Sequence, residues 1–217
     1  MEILPNFAVF EGGDGSGTST QISLLKAKFD AGGPDLPVLH TDFEPTPGPI
    51  GRLIRSALKK ELILEAETLA RLFAADRGEH LYAPRGIMER CKRGELVVCD
   101  RYTPSSLVYQ GIECGSELPH TLNSAFPAPE LLFFFDIDPQ KALDRLQTRD
   151  SLEIYEHLDF QRKVRERYLL LLDEYRGAGV RVELIDAAQD PRKIADQIWT
   201  ALAKMPIFNT RTSCETI

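Results

Sequence analysis

Short apolar runs alternate along the chain with longer stretches in which apolar positions recur every three or four residues. Four runs, residues 7–10, 96–99, 131–135 and 180–185, read as buried strands, and a more polar run at 38–43 reads as a fifth. Each of the four is followed by a helical pattern, so the expected fold is α/β: a five-stranded parallel sheet with helices on both faces, three layers in all. Asp138-Pro139 and Asp190-Pro191 each place a capping carboxylate before a proline whose missing N–H costs nothing at a helix start. After the second, Ile194, Ile198 and Leu202 repeat at four-residue spacing, which predicts a helix with one sheet-facing side. A long helical stretch spans about 65 to 93 with a break at Pro84. Another spans about 158 to 176, with Phe160, Val164, Tyr168 and Leu172 along one face. Residues 147–157 between two helices are polar and read equally as a mobile lid or as a surface connection. Residues 1–204 are expected to form one domain and 205–217 a C-terminal tail.

Composition narrows the class. The 217 residues, 43% apolar and 27% charged, are enough for a sizeable core without covalent staples. Thirty-three acidic against 26 basic residues leave a net charge of −7, which argues against a nucleic-acid partner, so any bound anion is held locally. Cys91, Cys99, Cys114 and Cys214 show neither a disulfide framework nor zinc spacing and are expected as free thiols. The longest apolar run, residues 131–135, is far below the roughly 18 residues of a membrane span. With no signal-peptide pattern at the start, the expectation is a cytoplasmic protein with no membrane partner.

The chemistry begins directly after the first strand. Gly12-Gly13-Asp14-Gly15-Ser16-Gly17-Thr18-Ser19-Thr20 has the spacing of the phosphate-binding G-x-x-x-x-G-K-[ST] loop and runs into a helix. Glycines let the backbone curl so that N–H groups point inward, and the helix N-terminus adds partial positive charge at the same point. These nine residues are candidate ATP ligands, and Ser19 offers a hydroxyl to magnesium. The lysine position, however, holds Thr18. Losing a positioned charge costs about 100- to 1,000-fold in rate, so another cation is needed or the site is weak. A dinucleotide-type G-x-G-x-x-G reading would require glycine at 18 as well, and a ligand-free strand-to-helix turn is the plain alternative.

Two further stretches suit a nucleotide. Phe73 and Arg77 lie one helical turn apart, an aromatic plane beside a forked donor. Asp100-Arg101 follows a strand, where a parallel sheet exposes its ligand edge, and can serve magnesium and clamp a phosphate. Thr103-Pro104 then reads as a helix cap and first helical residue, placing Ser105 and Tyr109 on one face and Ser106 and Gln110 on the next. The plain alternatives are a core anchor with a surface charge for the first pair and an exposed ion pair for the second.

With these pieces in order, the sequence resembles the thymidylate kinase family. The resemblance rests on FEGGDGSGTSTQ at 10–21, FEPTPGPIGRLIR at 43–55, LFAADRGEH at 72–80, DRYTPSSLVYQG at 100–111 and VRERY at 164–168. It implies transfer of the γ-phosphoryl of ATP to dTMP with magnesium, on a P-loop kinase fold with a short lid, by a homodimer. It also implies that Phe73 stacks on thymine, Arg77 bonds an exocyclic oxygen and Ser106 lies near the ring nitrogen. Tyr109 would lie under the sugar, Asp14 near the 3′-hydroxyl and the acceptor phosphate, and Arg101 on that phosphate, with Asp100 and Ser19 serving the metal.

Two positions depart from the family pattern. Thr18 replaces its usual lysine, and Leu152 falls where a lid arginine is usual, while Gly15 supplies no loop arginine either. Arg149, with Arg145 one turn earlier, is therefore expected to supply the missing charge. A nucleotide-binding relative without catalysis, or a kinase for another monophosphate or a nucleoside, are the competing readings.

Overall fold

The computed structural model describes residues 1–146 and 157–209. Five parallel strands, β1 (Ile3–Gly12), β2 (Leu39–Phe43), β3 (Leu96–Asp100), β4 (Ala128–Asp136) and β5 (Arg181–Asp186), form one sheet in the order β2-β3-β1-β4-β5. The expected α/β sheet is borne out, including its polar fifth strand at the edge. Among the described residues no helix is long and apolar enough to cross a membrane.

Alternation along the strands assigns each side chain to one of two cores. Phe7 and Val9 of β1, Val97 and Cys99 of β3, and Leu132 and Phe134 of β4 face α3 (Ala66–Tyr82), α5 (Thr103–Cys114) and α8 (Leu158–Gly177). Ala8, Phe10, Val98, Phe133 and Phe135 face α1 (Thr18–Asp30), α7 (Pro139–Leu146) and α9 (Pro191–Leu202). The predicted stripe Ile194, Ile198 and Leu202 is buried in this second core, and Val164, Tyr168 and Leu172 are buried in the first. Residues 205–209, where the sequence suggested the start of a tail, bury Met205 and Ile207 against the second core through the short α10 (Pro206–Asn209).

The helix starts follow their chemistry with one correction. Asp138 Oδ1 accepts from the backbone N–H of Gln140 and Lys141, and Asp190 Oδ1 from that of Arg192. Thr103, read as a cap, is instead the first residue of α5, with Tyr102 at the cap position. The carboxylate of Glu11 takes the cap role from outside the helix. It accepts from Tyr102 N–H at 2.8 Å and from Ser105 N–H at 3.3 Å, and the Thr103 hydroxyl pairs with Tyr175 OH. The long stretch through Pro84 is two helices, α3 and α4 (Ile87–Lys92). The sequence reading missed α2 (Pro49–Leu58) and α6 (Glu117–Asn123).

Candidate active site

The chain reverses its direction of travel across the sheet at β1, whose neighbours are β3 on one side and β4 on the other, and ligands settle at the carboxyl ends of strands at such a point. Two cavities open there. One, of about 540 Å³, is lined by Gly13 through Gln21 together with Asp100, Arg101, Arg145, Ala187 and Gln189. The other, of about 160 Å³, is lined by Phe73, Arg77, Ser105, Ser106, Tyr109 and Gln110, with Glu44 and Arg55. Asp14 and Arg101 line both, so the two cavities meet at that pair.

The first cavity is an anion site by construction. Gly17 caps α1 with φ 94°, no side chain caps the helix, and its first turn carries no acidic residue, so the N-terminal N–H groups face the loop uncompensated. Gly15 has φ 81°, and a Cβ there would stand 2.3 Å from the Ala142 carbonyl oxygen, so the tight approach of loop to α7 requires glycine. Arg145 of α7 reaches this loop, donating to Ala187 O at 3.0 Å and Gly15 O at 3.4 Å. Arg149 and Leu152 lie outside the described residues, as does the lid segment except for His157.

At the junction, the Arg101 guanidinium donates to Asp14 Oδ1 at 2.6 Å and to Gly12 O and Ser105 Oγ at 3.2 Å. Its backbone sits at φ 69°, a left-handed conformation costing on the order of 1–3 kcal/mol for a side chain of this size, held by Arg101 N–H donating to Phe10 O. Asp14 Oδ2 also accepts from Gln161 Nε2 at 2.8 Å and Tyr109 OH at 3.4 Å. Beside it, Ser19 Oγ donates to Asp100 Oδ2 at 3.2 Å, while Asp100 Oδ1 is buried with no hydrogen-bond partner among the described residues. Burial raises the Asp100 carboxyl above its ordinary range against the pull of Arg101. An orphaned buried carboxylate oxygen next to a hydroxyl suits a hard divalent cation that brings its own water and phosphate oxygens. Among the described residues no group of three or more His, Cys, Asp or Glu side chains is placed to hold a metal ion.

In the second cavity Arg77 is no surface charge: it is 1% exposed and donates from Nε and Nη2 to Glu44 Oε2 at 3.0 and 2.7 Å. Nη2 donates to Ser106 Oγ at 3.0 Å as well. Gln110 is buried and its Oε1 has no hydrogen-bond partner among the described residues. Glu11 lies behind the junction, accepting from Ser105 Oγ at 2.6 Å and Tyr168 OH at 2.7 Å, and burial pushes its carboxyl up to about 6. All the candidates within the described residues thus gather around one crevice.

Glu11, Glu44, Arg55 and Gln161 escaped the sequence reading as site residues. Glu11, Glu44 and Arg55 stood inside quoted motifs, so the signal was present for those three. Gln161 carried none.

Comparison with known proteins agrees with this geometry. Residues 10–198 match the family described as Thymidylate kinase. A putative thymidylate kinase from Treponema pallidum is 41% identical over 91% of this chain and 95% of its own length. A probable thymidylate kinase from Pyrobaculum aerophilum is 41% identical over 93% and 98%, and one from Methanocaldococcus jannaschii is 39% identical over 78% and 82%. Two cavities meeting at Asp14 and Arg101, and relatives matched along nearly their full length, lead to one statement: the chain belongs to the thymidylate kinase family.

Proposed function

We infer that the protein transfers the γ-phosphoryl group of ATP to the 5′-phosphate of dTMP. The observation that carries this is the shared wall: a phosphate-loop cavity and an aromatic-lined base cavity open onto the same Asp14–Arg101 pair. A donor phosphate on the loop and an acceptor phosphate on Arg101 would approach each other there. Phosphoryl transfer needs positioning and charge neutralisation rather than a covalent intermediate.

On the donor side, Gly12 through Thr20 would cradle the phosphates with backbone N–H groups and the N-terminus of α1. Ser19 and Asp100 would hold magnesium, which when bound neutralises phosphate charge. Thr18 offers no charge, and Arg145 of α7 donates to the loop at Gly15 O while Arg101 is engaged with Asp14, so Arg145 is our candidate for the replacement.

On the acceptor side, Phe73 would stack on the base and Tyr109 would lie under the sugar. A thymine presents an acceptor at O4 and a donor at N3, and the cavity offers a buried donor, Arg77, and an orphaned acceptor, Gln110 Oε1. Cytosine reverses both groups and would leave two buried polar groups unpaired, which is how such a site rejects it. Ser105 and Ser106 complete the contacts, with Ser105 bracing Arg101 for the phosphate.

The test is ADP formation from ATP and magnesium with dTMP, dUMP, dCMP, dGMP and thymidine offered separately. The highest kcat/KM with dTMP is the expected result. Turnover of thymidine but not dTMP would sink the reading. Tight binding of both nucleotides with no ADP formed would favour a silent nucleotide-binding relative, the reading that Thr18 keeps open.

A further inference from the structure

We propose that Asn123, the last residue of α6, is a positioning residue that aims Arg77 at the base and so sets pyrimidine discrimination; the inference rests on the acceptor cavity being a thymidylate site. Arg77 has five N–H groups to place. Glu44 takes two and Ser106 one. Asn123 Oδ1 accepts a fourth, from Nη1. The remaining Nη1 hydrogen has no partner among the described residues, and in the rigid, planar guanidinium its direction is set by the contacts that hold the two ends of the group.

The rings around the guanidinium cannot fix it. Tyr102 and Phe126 stand 5.2 and 5.9 Å from Cζ, and a cation over a ring face has little directional preference within the guanidinium plane. Glu44 grips the Nε and Nη2 side and is itself steadied by His80, whose Nδ1 lies 3.3 Å from Glu44 Oε1. Asn123 holds the opposite end. The orientation of its amide is determined by chemistry. Nδ2 donates to Pro119 O at 2.8 Å, so Oδ1 is left for the guanidinium, and the flipped amide would set donor against donor and oxygen against oxygen. Asn123 is buried, so neither contact is replaced by bulk water. A short helix that does not line the base cavity thereby sets, together with Glu44, where the thymine-reading donor points.

Asn123→Ala and Asn123→Asp test this by steady-state kinetics with dTMP, dCMP and ATP. Asn123→Ala should raise KM for dTMP about tenfold and cut the dTMP-to-dCMP ratio of kcat/KM about tenfold, with KM for ATP unchanged. Asn123→Asp keeps an acceptor for Nη1 but sets a carboxylate oxygen against Pro119 O, so it should lower Tm while holding the ratio close to that of the native protein. A purely structural role would lower Tm and the active fraction equally for every substrate while leaving KM and the ratio alone. If Asn123→Ala fails to fold, Asn123→Ser, too short to reach Nη1, carries the same expectation. A native ratio and native KM in the soluble Ala or Ser variant would overturn the proposal. So would loss of discrimination in Asn123→Asp equal to that in the truncated variant. Native protein that prefers another monophosphate would show in its own ranking of substrates, before any variant, and would remove the reading beneath the proposal.

Discussion

Replacing Glu11 by glutamine should change the pH dependence of stability in a defined direction. The carboxyl is fully buried and accepts from two backbone N–H groups and two hydroxyls, yet burial outweighs those donors and lifts it from 4.5 to about 6. A carboxyl with a higher pKa in the folded than in the unfolded chain binds its proton better when folded. The stabilisation is therefore fully present below pH 4.5 and lost as pH rises through 6. A shift of 1.5 at about 1.36 kcal/mol per unit gives about 2 kcal/mol, a sizeable part of a typical stability of about 5–15 kcal/mol. Glutamine does not titrate, and its NH₂ can donate to the Ser105 and Tyr168 hydroxyls, which reverse their roles. Urea unfolding of both proteins at pH 4 and pH 7.5 measures the effect, because every other titrating group cancels in the difference. Native protein should lose about 2 kcal/mol relative to Glu11→Gln between those values, equivalent to roughly 4–8 °C in Tm at this size. A flat difference would refute the reasoning. A difference of opposite sign would mean that the four donors hold the carboxylate better than water does.

Other outcomes follow from the same geometry. Arg145→Ala should lower kcat/KM for ATP by about 10- to 100-fold with KM for dTMP unchanged, and adding Thr18→Lys should restore at least about tenfold, read by steady-state kinetics. Gly15→Ala combines φ 81° with a Cβ 2.3 Å from Ala142 O, so ATP affinity measured by calorimetry should fall at least about tenfold. Ser19→Ala should raise the magnesium concentration for half-maximal activity several-fold at fixed ATP, because the hydroxyl facing Asp100 is lost.

The legible parts were those encoded by neighbours in sequence. The strands at 7–10 and 96–99 announce themselves as continuous apolar runs, and the phosphate loop and Asp100-Arg101 by local spacing. Pairing Phe73 with Arg77 needed only helical periodicity. What escaped depends on groups brought together from far apart. Asn123 meets Arg77 across 46 residues and Gln161 meets Asp14 across 147, and neither carries a pattern of its own. Thr103 shows the same limit in reverse. Its local context says cap, but the Glu11 carboxylate, 91 residues from the Tyr102 N–H that it accepts, satisfies that helix end and frees the threonine for Tyr175. The polar edge strand β2 is readable as a strand because one edge and part of each face remain open to water.

The grip on Asp14 has a consequence for how the enzyme is made. Arg101 reaches it across 87 residues and Gln161 across 147, while Glu11 and Tyr168 are 157 apart. During synthesis the phosphate loop leaves the ribosome well before its companions in α8, which follow only after roughly 8–30 s of elongation over about 150 residues. A nascent chain halted before α8 therefore carries a recognisable loop and no assembled centre. Nonsense fragments and half-length expression products should be inert toward both nucleotides, and splitting the gene into two polypeptides would make activity depend on how tightly the halves reassociate.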